Sequence, residues 1–200
     1  MAKVKLTKNE LKNQKDMLKR FQRYLPTLIL KKQQLQMVMR QVEAAVREKL
    51  EAKEQARISM EKWIAVFGES MELEQYIQIQ SLRTSTGNIA GIDIPVFEEL
   101  IFEDSTHDLY LTPPWVDRGI EELCKLLSID AEIAVLKEQL RLLEDELRIT
   151  TQRVNLFEKV KIPEAQDNIR SIRIYLGDQQ TASVVRGKIA KNKVERVAKS

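Results

Sequence analysis

An apolar residue recurs every seven positions along the first third of this chain. Positions 11, 18, 25, 32, 39, 46, 53, 60 and 67 read Leu, Leu, Leu, Lys, Met, Val, Lys, Met and Phe. The companion positions 14, 21, 28, 35, 42, 49, 56, 63 and 70 read Gln, Phe, Leu, Leu, Val, Lys, Ala, Trp and Ser. Thirteen of these eighteen are apolar, against 43% of the whole chain, so the period is a property of the seam and not of composition. A seven-residue seam sustained over this length specifies a coiled coil, because its 3.5-residue spacing keeps one stripe of a helix against a partner.

A second seam follows near the C-terminus. Positions 126, 133, 140, 147 and 154 are Leu, Ile, Leu, Leu and Val, and positions 129, 136, 143, 150 and 157 are Ile, Leu, Leu, Thr and Phe. It then slips by one residue, to Ile162, Ala165, Ile169, Ile172 and Leu176. The slip sits beside Pro163 and marks a local change of helix winding. Leu18, Leu25, Leu140, Leu147, Val154 and Phe157 are therefore expected in the seam; Pro26 either kinks the first helix or begins a new segment, and Pro163 marks the kink of the second.

The expected fold class is mainly α: a long antiparallel two-helix coiled coil from the N- and C-terminal segments, with a small β-hairpin-like insert between them. The expected parts are residues 1–80, 81–114 and 115–200. Thr7 and Glu10 match a capping box, which starts the first helix near Thr7. The helix is expected to run to about residue 80, a rod on the order of 100 Å. Thr84 to Asn88 reads as a turn cluster. Ile92, Ile94 and Val96 alternate as in a strand, with Pro95 restricting it to an edge or strand end, and Ile77 to Arg83 is the expected partner. Folding about a midpoint near residue 97 pairs residues whose numbers sum to roughly 195, which sets Pro26 opposite residue 169 and Pro163 opposite residue 32 for a shared bend.

Charge is distributed unevenly. Residues 1–20 carry net +5, residues 183–200 carry net +5, and residues 69–110 carry net −8, while the whole chain is only +3. Antiparallel folding brings the two basic ends to one tip, with Lys12, Lys15, Lys19, Arg20, Arg186 and Lys188 as contact candidates for acidic or carbonyl-rich surface.

No catalytic constellation emerges. His107 is the only histidine and Cys124 the only cysteine, which leaves no metal cluster, Cys/His pair or internal disulfide. Cys124 sits at helical spacing among leucines and reads as a buried apolar residue. No phosphate-binding glycine loop is present, and no cofactor is expected. Glu98/Glu99 and Glu121/Glu122 read as solvated acidic faces. Aromatics do not interleave with the basic tail, and no helix-turn-helix or zinc spacing accompanies it, so nucleic-acid binding is disfavoured. No apolar run approaches the roughly 20 residues needed to cross a bilayer, and the expected location is cytosolic, or peripheral to a membrane through a partner.

Several stretches resemble a known family, the D subunits of the V-type (A/V-type) rotary ATPases and ATP synthases. Thr7-Lys8-Asn9-Glu10-Leu11 resembles its opening motif, and Leu28 to Leu35 occupies the place of a Leu- and Lys-rich stretch. Asn88-Ile89-Ala90-Gly91-Ile92-Asp93-Ile94-Pro95 resembles a middle segment, and Arg153-Val154-Asn155-Leu156-Phe157-Glu158 through Ile162-Pro163 resembles a signature near the end. The last two are the specific ones. Gln33 and Gln34 depart from the family, which usually carries more charge there.

The resemblance implies a central-stalk rotor. Its two long helices enter the head formed by the A and B subunits, the F subunit binds the side, and the foot docks onto the C (d) subunit above the membrane ring. Nucleotide chemistry then belongs to A and B, this chain is not an enzyme, and the complex lies at the cytoplasmic side of a membrane, moving protons or sodium. A middle-insert contact region of Asn88, Ile89, Ala90, Gly91, Ile94 and Pro95 follows from the same resemblance. The alternative is a non-rotary coiled-coil adaptor or scaffold that uses the middle insert for recognition.

Overall fold

The computed structural model describes residues 4–64, 76–103, 113 and 115–197, the side chains at 63 and 64 excepted. Helix α1 spans Lys8–Ile64, strands β1 and β2 span Ile79–Ile89 and Ile92–Phe102, and helix α2 spans Val116–Leu156. A π-helical turn, Phe157–Lys161, leads into helix α3, Ile162–Val197. The architecture is mainly α with one two-stranded antiparallel sheet, as the seam and the alternating insert predict.

Thr7 caps α1: the Glu10 backbone N–H donates to Thr7 Oγ1 at 3.2 Å. The Glu10 carboxylate accepts from Gln14 Nε2 at 2.8 Å, so it turns along the helix toward a seam residue. Every seam position from Leu11 to Met60 is buried or half-buried. The seam side chains of Trp63, Phe67 and Ser70 lie outside the described residues. The helix was expected to reach residue 80, but Ile79 and Gln80 already belong to β1. Pro26 begins no new segment, since α1 continues through it.

Contacts divide the chain into two units, residues 1–31 with 150–200 and residues 32–149. In the second unit, Leu35, Val42 and Leu143 form a buried cluster, with Val38, Met39, Leu136, Leu140 and Leu147 packed around it. Two of the three lysines that interrupt the seam, Lys49 and Lys53, are accommodated by charge. Lys49 Nζ lies 2.7 Å from Glu132 and Lys53 Nζ 2.6 Å from Asp130, both across to α2. Helix α2 is also covered away from the seam, where Val135 and Gln139 are buried.

The reversal of the hairpin is at Ala90 and Gly91, with φ of 53° and 80°. Two successive positive φ values are the two-residue hairpin turn whose twist matches the strands. The Thr84–Asn88 cluster is therefore strand, paired from Thr84↔Phe97 to Asn88↔Asp93. The expected turn is displaced because cross-strand pairing and the positive-φ step at Gly91 outweigh the local turn preference of Ser, Thr and Asn. Pro95 lies inside β2, opposite Thr86, which a ribbon of two edge strands permits.

Ala90 and Ile92, at the hairpin tip, pack against the Leu35–Val42–Leu143 cluster. Eleven strand residues at ~3.3 Å each span roughly 36 Å. The stretch of α1 from Met39 to Ile64 at ~1.5 Å per residue spans roughly 38 Å. The hairpin thus lies folded back along the helix pair. Gln139 Nε2 on α2 donates to the Pro95 carbonyl oxygen at 2.5 Å and fastens its middle.

In the first unit, α1 meets the π turn and α3. The Ile162 backbone N–H donates to the Phe157 carbonyl five residues back. One extra residue in that turn is the physical form of the one-residue seam slip, and beyond it Ala165, Ile169 and Ile172 are buried in the shifted phase. The wider turn precedes Pro163, whose ring would meet the Lys159 carbonyl in a regular helix.

Candidate functional site

The first unit carries the cations singled out in the sequence. Gln14, Met17 and Phe21 on α1 share a small cleft with Lys161, Glu164 and Asn168. Pro163 therefore stands level with residues 14–21 and not with residue 32, and Pro26 lies five residues beyond Phe21. The prolines are therefore staggered and do not stand opposite each other. The register explains this. Contacting pairs have numbers that sum to 178 for Phe21 and Phe157, 183 for Lys53 and Asp130, and 181 for Asn88 and Asp93, not to 195.

A groove opens between α1 and α3. Lys15, Leu18, Lys19 and Gln22 form one side. Gln166, Ile169, Arg170, Arg173 and Ile174 form the other. Leu18 is half-buried and Ile169 is buried, so the seam supplies the apolar floor and exposed cations stand on both rims. Lys15, Lys19, Arg170 and Arg173 have no hydrogen bond or ion pair among the described residues. Arg170 and Arg173 were missed in the sequence; their i, i+3 spacing beside seam residues Ile169 and Ile172 was the available signal.

Lys12 and Arg20 are exposed on α1 outside this groove. Arg186 and Lys188 are exposed on α3, twelve and fourteen residues beyond Ile174. At ~1.5 Å per residue that is about 18 to 21 Å farther along the helix. Lys15 and Lys19 thus face Arg170 and Arg173, not Arg186 or Lys188 as the shared tip required. From Gly177 to Val197 every residue is exposed, including Val185 and Ile189 at 49% and 51%.

The insert residues are mostly turned inward. Asn88 braces the turn: its Oδ1 accepts from the Gly91 backbone N–H at 3.2 Å, and its Nδ2 donates to Asp93 Oδ1 at 2.7 Å. Ile94 is 2% exposed, Ile89 and Pro95 are half-buried, and Ala90 rests on the helix cluster. Strand β1 is the open face, exposed from Ile79 through Thr86. Arg83 and Glu99 pair across the strands at 2.7 Å.

The titratable groups show no catalytic arrangement among the described residues. No group of three metal-ligating side chains is present there. Burial pushes the Cys124 thiol up, away from the thiolate a nucleophile needs. His107 lies outside the described residues. No helix among the described residues is long and apolar enough to cross a membrane.

Fold and surface together define a long-helix protein whose features are contact faces. A family profile for the D subunit of ATP synthase matches residues 10–192. The V-type ATP synthase D subunit of Borreliella burgdorferi is 53% identical over 192 residues, covering 96% of this chain and 95% of its own. Those of Chlamydia pneumoniae and Chlamydia muridarum are each 36% identical, over 96% and 98% of this chain and 93% and 98% of their own. The chain belongs to the ATP synthase D-subunit family.

Proposed function

We propose that this chain is the central rotor shaft of a V/A-type rotary ATPase or ATP synthase. It couples ATP hydrolysis or synthesis in the A/B head to ion translocation through the membrane ring. The observation that carries this reading is the antiparallel seam, locked at both ends of α1. A lone helix twists easily, but two helices held by interlocking apolar side chains and by the Lys49–Glu132 and Lys53–Asp130 bridges turn together. Family membership over nearly the whole chain supports the same reading.

In this role the chain is non-catalytic, and its partners are the A and B subunits, the F subunit and the C (d) subunit. The shaft is drawn from the helices Lys8–Ile64, Val116–Leu156 and Ile162–Val197, and the insert from the hairpin of Ile79–Ile89 and Ile92–Phe102. The cations of the first unit meet acidic or carbonyl groups within the head. The folded-back hairpin stiffens the lower shaft and leaves β1 open to a neighbour. It works at the cytoplasmic side of the membrane as a peripheral part of the complex.

Reconstitution tests this. The purified chain is mixed with A and B subunits, with and without the F subunit, and followed by size exclusion and ATPase assay. One copy per head with altered turnover is the expected result. Failure to associate under every nucleotide condition would leave the adaptor role instead.

A further inference from the structure

We propose that the groove between α1 and α3 seats an acidic amphipathic helix of a partner protein. The proposal rests on the shaft reading and names the chemistry of the surface that the shaft meets. Three observations point to this occupant.

The groove has four cations and no acid. Lys15 and Lys19 line one rim, Arg170 and Arg173 the other, and all four are exposed and unpaired among the described residues. Elsewhere on the chain cations sit beside carboxylates at i, i+3 or i, i+4, as Arg57, Arg141 and Lys161 do. Four like charges around one depression repel each other unless an anion enters it.

The floor is aliphatic. Leu18, Ile169 and Ile174 lie between the rims, and Ile174 is 57% exposed. A small anion or a phosphate chain makes no use of such a floor. Nucleic acid would call for aromatic rings on which bases stack, and no aromatic side chain lines the groove. A helix with a leucine-type stripe uses both the floor and the rims.

The spacing is helical. Lys15 and Lys19 are four residues apart on α1, about 6 Å along the axis. Acidic side chains at i and i+4 of an occupant helix repeat at the same distance. A leucine between them then faces Leu18 and Ile169.

The experiment uses the full chain and a labelled synthetic helical peptide with a leucine stripe flanked by glutamates at i, i+4. Two fourfold variants remove equal charge. One is Lys15→Gln/Lys19→Gln/Arg170→Gln/Arg173→Gln. The other, outside the groove, is Arg40→Gln/Arg47→Gln/Lys62→Gln/Lys137→Gln, four exposed cations of the second unit. Glutamine is a good helix former, and circular dichroism checks that both variants keep their helices.

The expected result is saturable peptide binding by the wild type, weakened on the order of tenfold in the groove variant and by added salt, and little changed in the second-unit variant. Replacing the peptide leucines by asparagine also weakens it. Equal loss in both variants, leucine-independent binding, or preference for a single-stranded oligonucleotide overturns the proposal. Both variants are also reconstituted with A and B subunits. If the wild type assembles and the groove variant assembles and binds peptide just as well, the groove assignment falls and the shaft stands. If the wild type does not assemble but peptide binding depends on the groove, the shaft reading falls and the groove assignment remains.

Discussion

Phe21 on α1 and Phe157 at the start of the π turn meet with ring centroids 5.3 Å apart and planes inclined by 32°. The contact sits where the C-terminal seam changes phase. Tilted aromatic pairs at this separation contribute about 0.5–1.5 kcal/mol beyond area burial. The pair therefore anchors the extra residue at one place along the helix.

The first prediction concerns that residue. Deleting the exposed Val160 and replacing Pro163 by Ala should restore regular α-helix and carry the seam without a break from Val154 to Ile172. The deletion removes one residue, which is the amount of the slip, and Pro163→Ala removes the ring that the π turn accommodates. Helicity should be retained and the thermal midpoint little changed. Deleting the exposed Glu144 instead should throw the seam out of phase and lower the midpoint markedly. Equal effects of both deletions would show that the π turn does not carry the phase shift.

Gly87 and Gly91 should respond to substitution for opposite reasons. A Cβ on Gly91 meets nothing within 4 Å, but its φ is +80°. Gly91→Ala is then a purely backbone penalty of about 1–2 kcal/mol. A Cβ on Gly87 comes within 3.0 Å of Val96 Cγ2. Gly87→Ala should be rescued by Val96→Ala, whereas Gly91→Ala should not. Chemical denaturation of the three single and two double variants as two double-mutant cycles measures the difference.

Lys49 and Lys53 break the apolar seam and bridge to Glu132 and Asp130. These groups are partly exposed, so each bridge contributes no more than about 0.2–1 kcal/mol. Replacing Lys53 and Asp130 together by Leu should stabilise the chain through seam burial, while Lys53→Leu alone should give less because Asp130 loses its partner. Thermal melts at low and high salt distinguish the two, and only the wild-type bridges should weaken as salt rises.

Cys124 should react slowly with a disulfide reagent near neutral pH and speed up on unfolding. Burial raises its folded pKa above the ordinary thiol value. Because the folded value is the higher one, its contribution to stability is fully present below the unfolded pKa and is lost as pH rises through the folded pKa. A labelling rate in the native state equal to that of the denatured chain would contradict the burial.

Much of this molecule is written in periodicity alone. Seven-residue spacing marks Leu11 to Met60 as one stripe, and Leu126 to Val154 as another, since side-chain direction on a helix follows from position. The one-residue slip at Ile162 was equally legible, because an inserted residue must shift every later side chain. What periodicity lacks is register between distant segments. The pairing of Phe21 with Phe157 is such a register, and the place of the hairpin reversal, at Ala90 and Gly91, is likewise set by distant pairing. A local cluster of Ser, Thr and Asn competes for the same role until strand pairing decides it. Tertiary structure also decided that Arg170 and Arg173, not the basic tail, stand opposite Lys15 and Lys19. Charge has no period that names its partner; only the alignment of two helices brings those four cations around one groove.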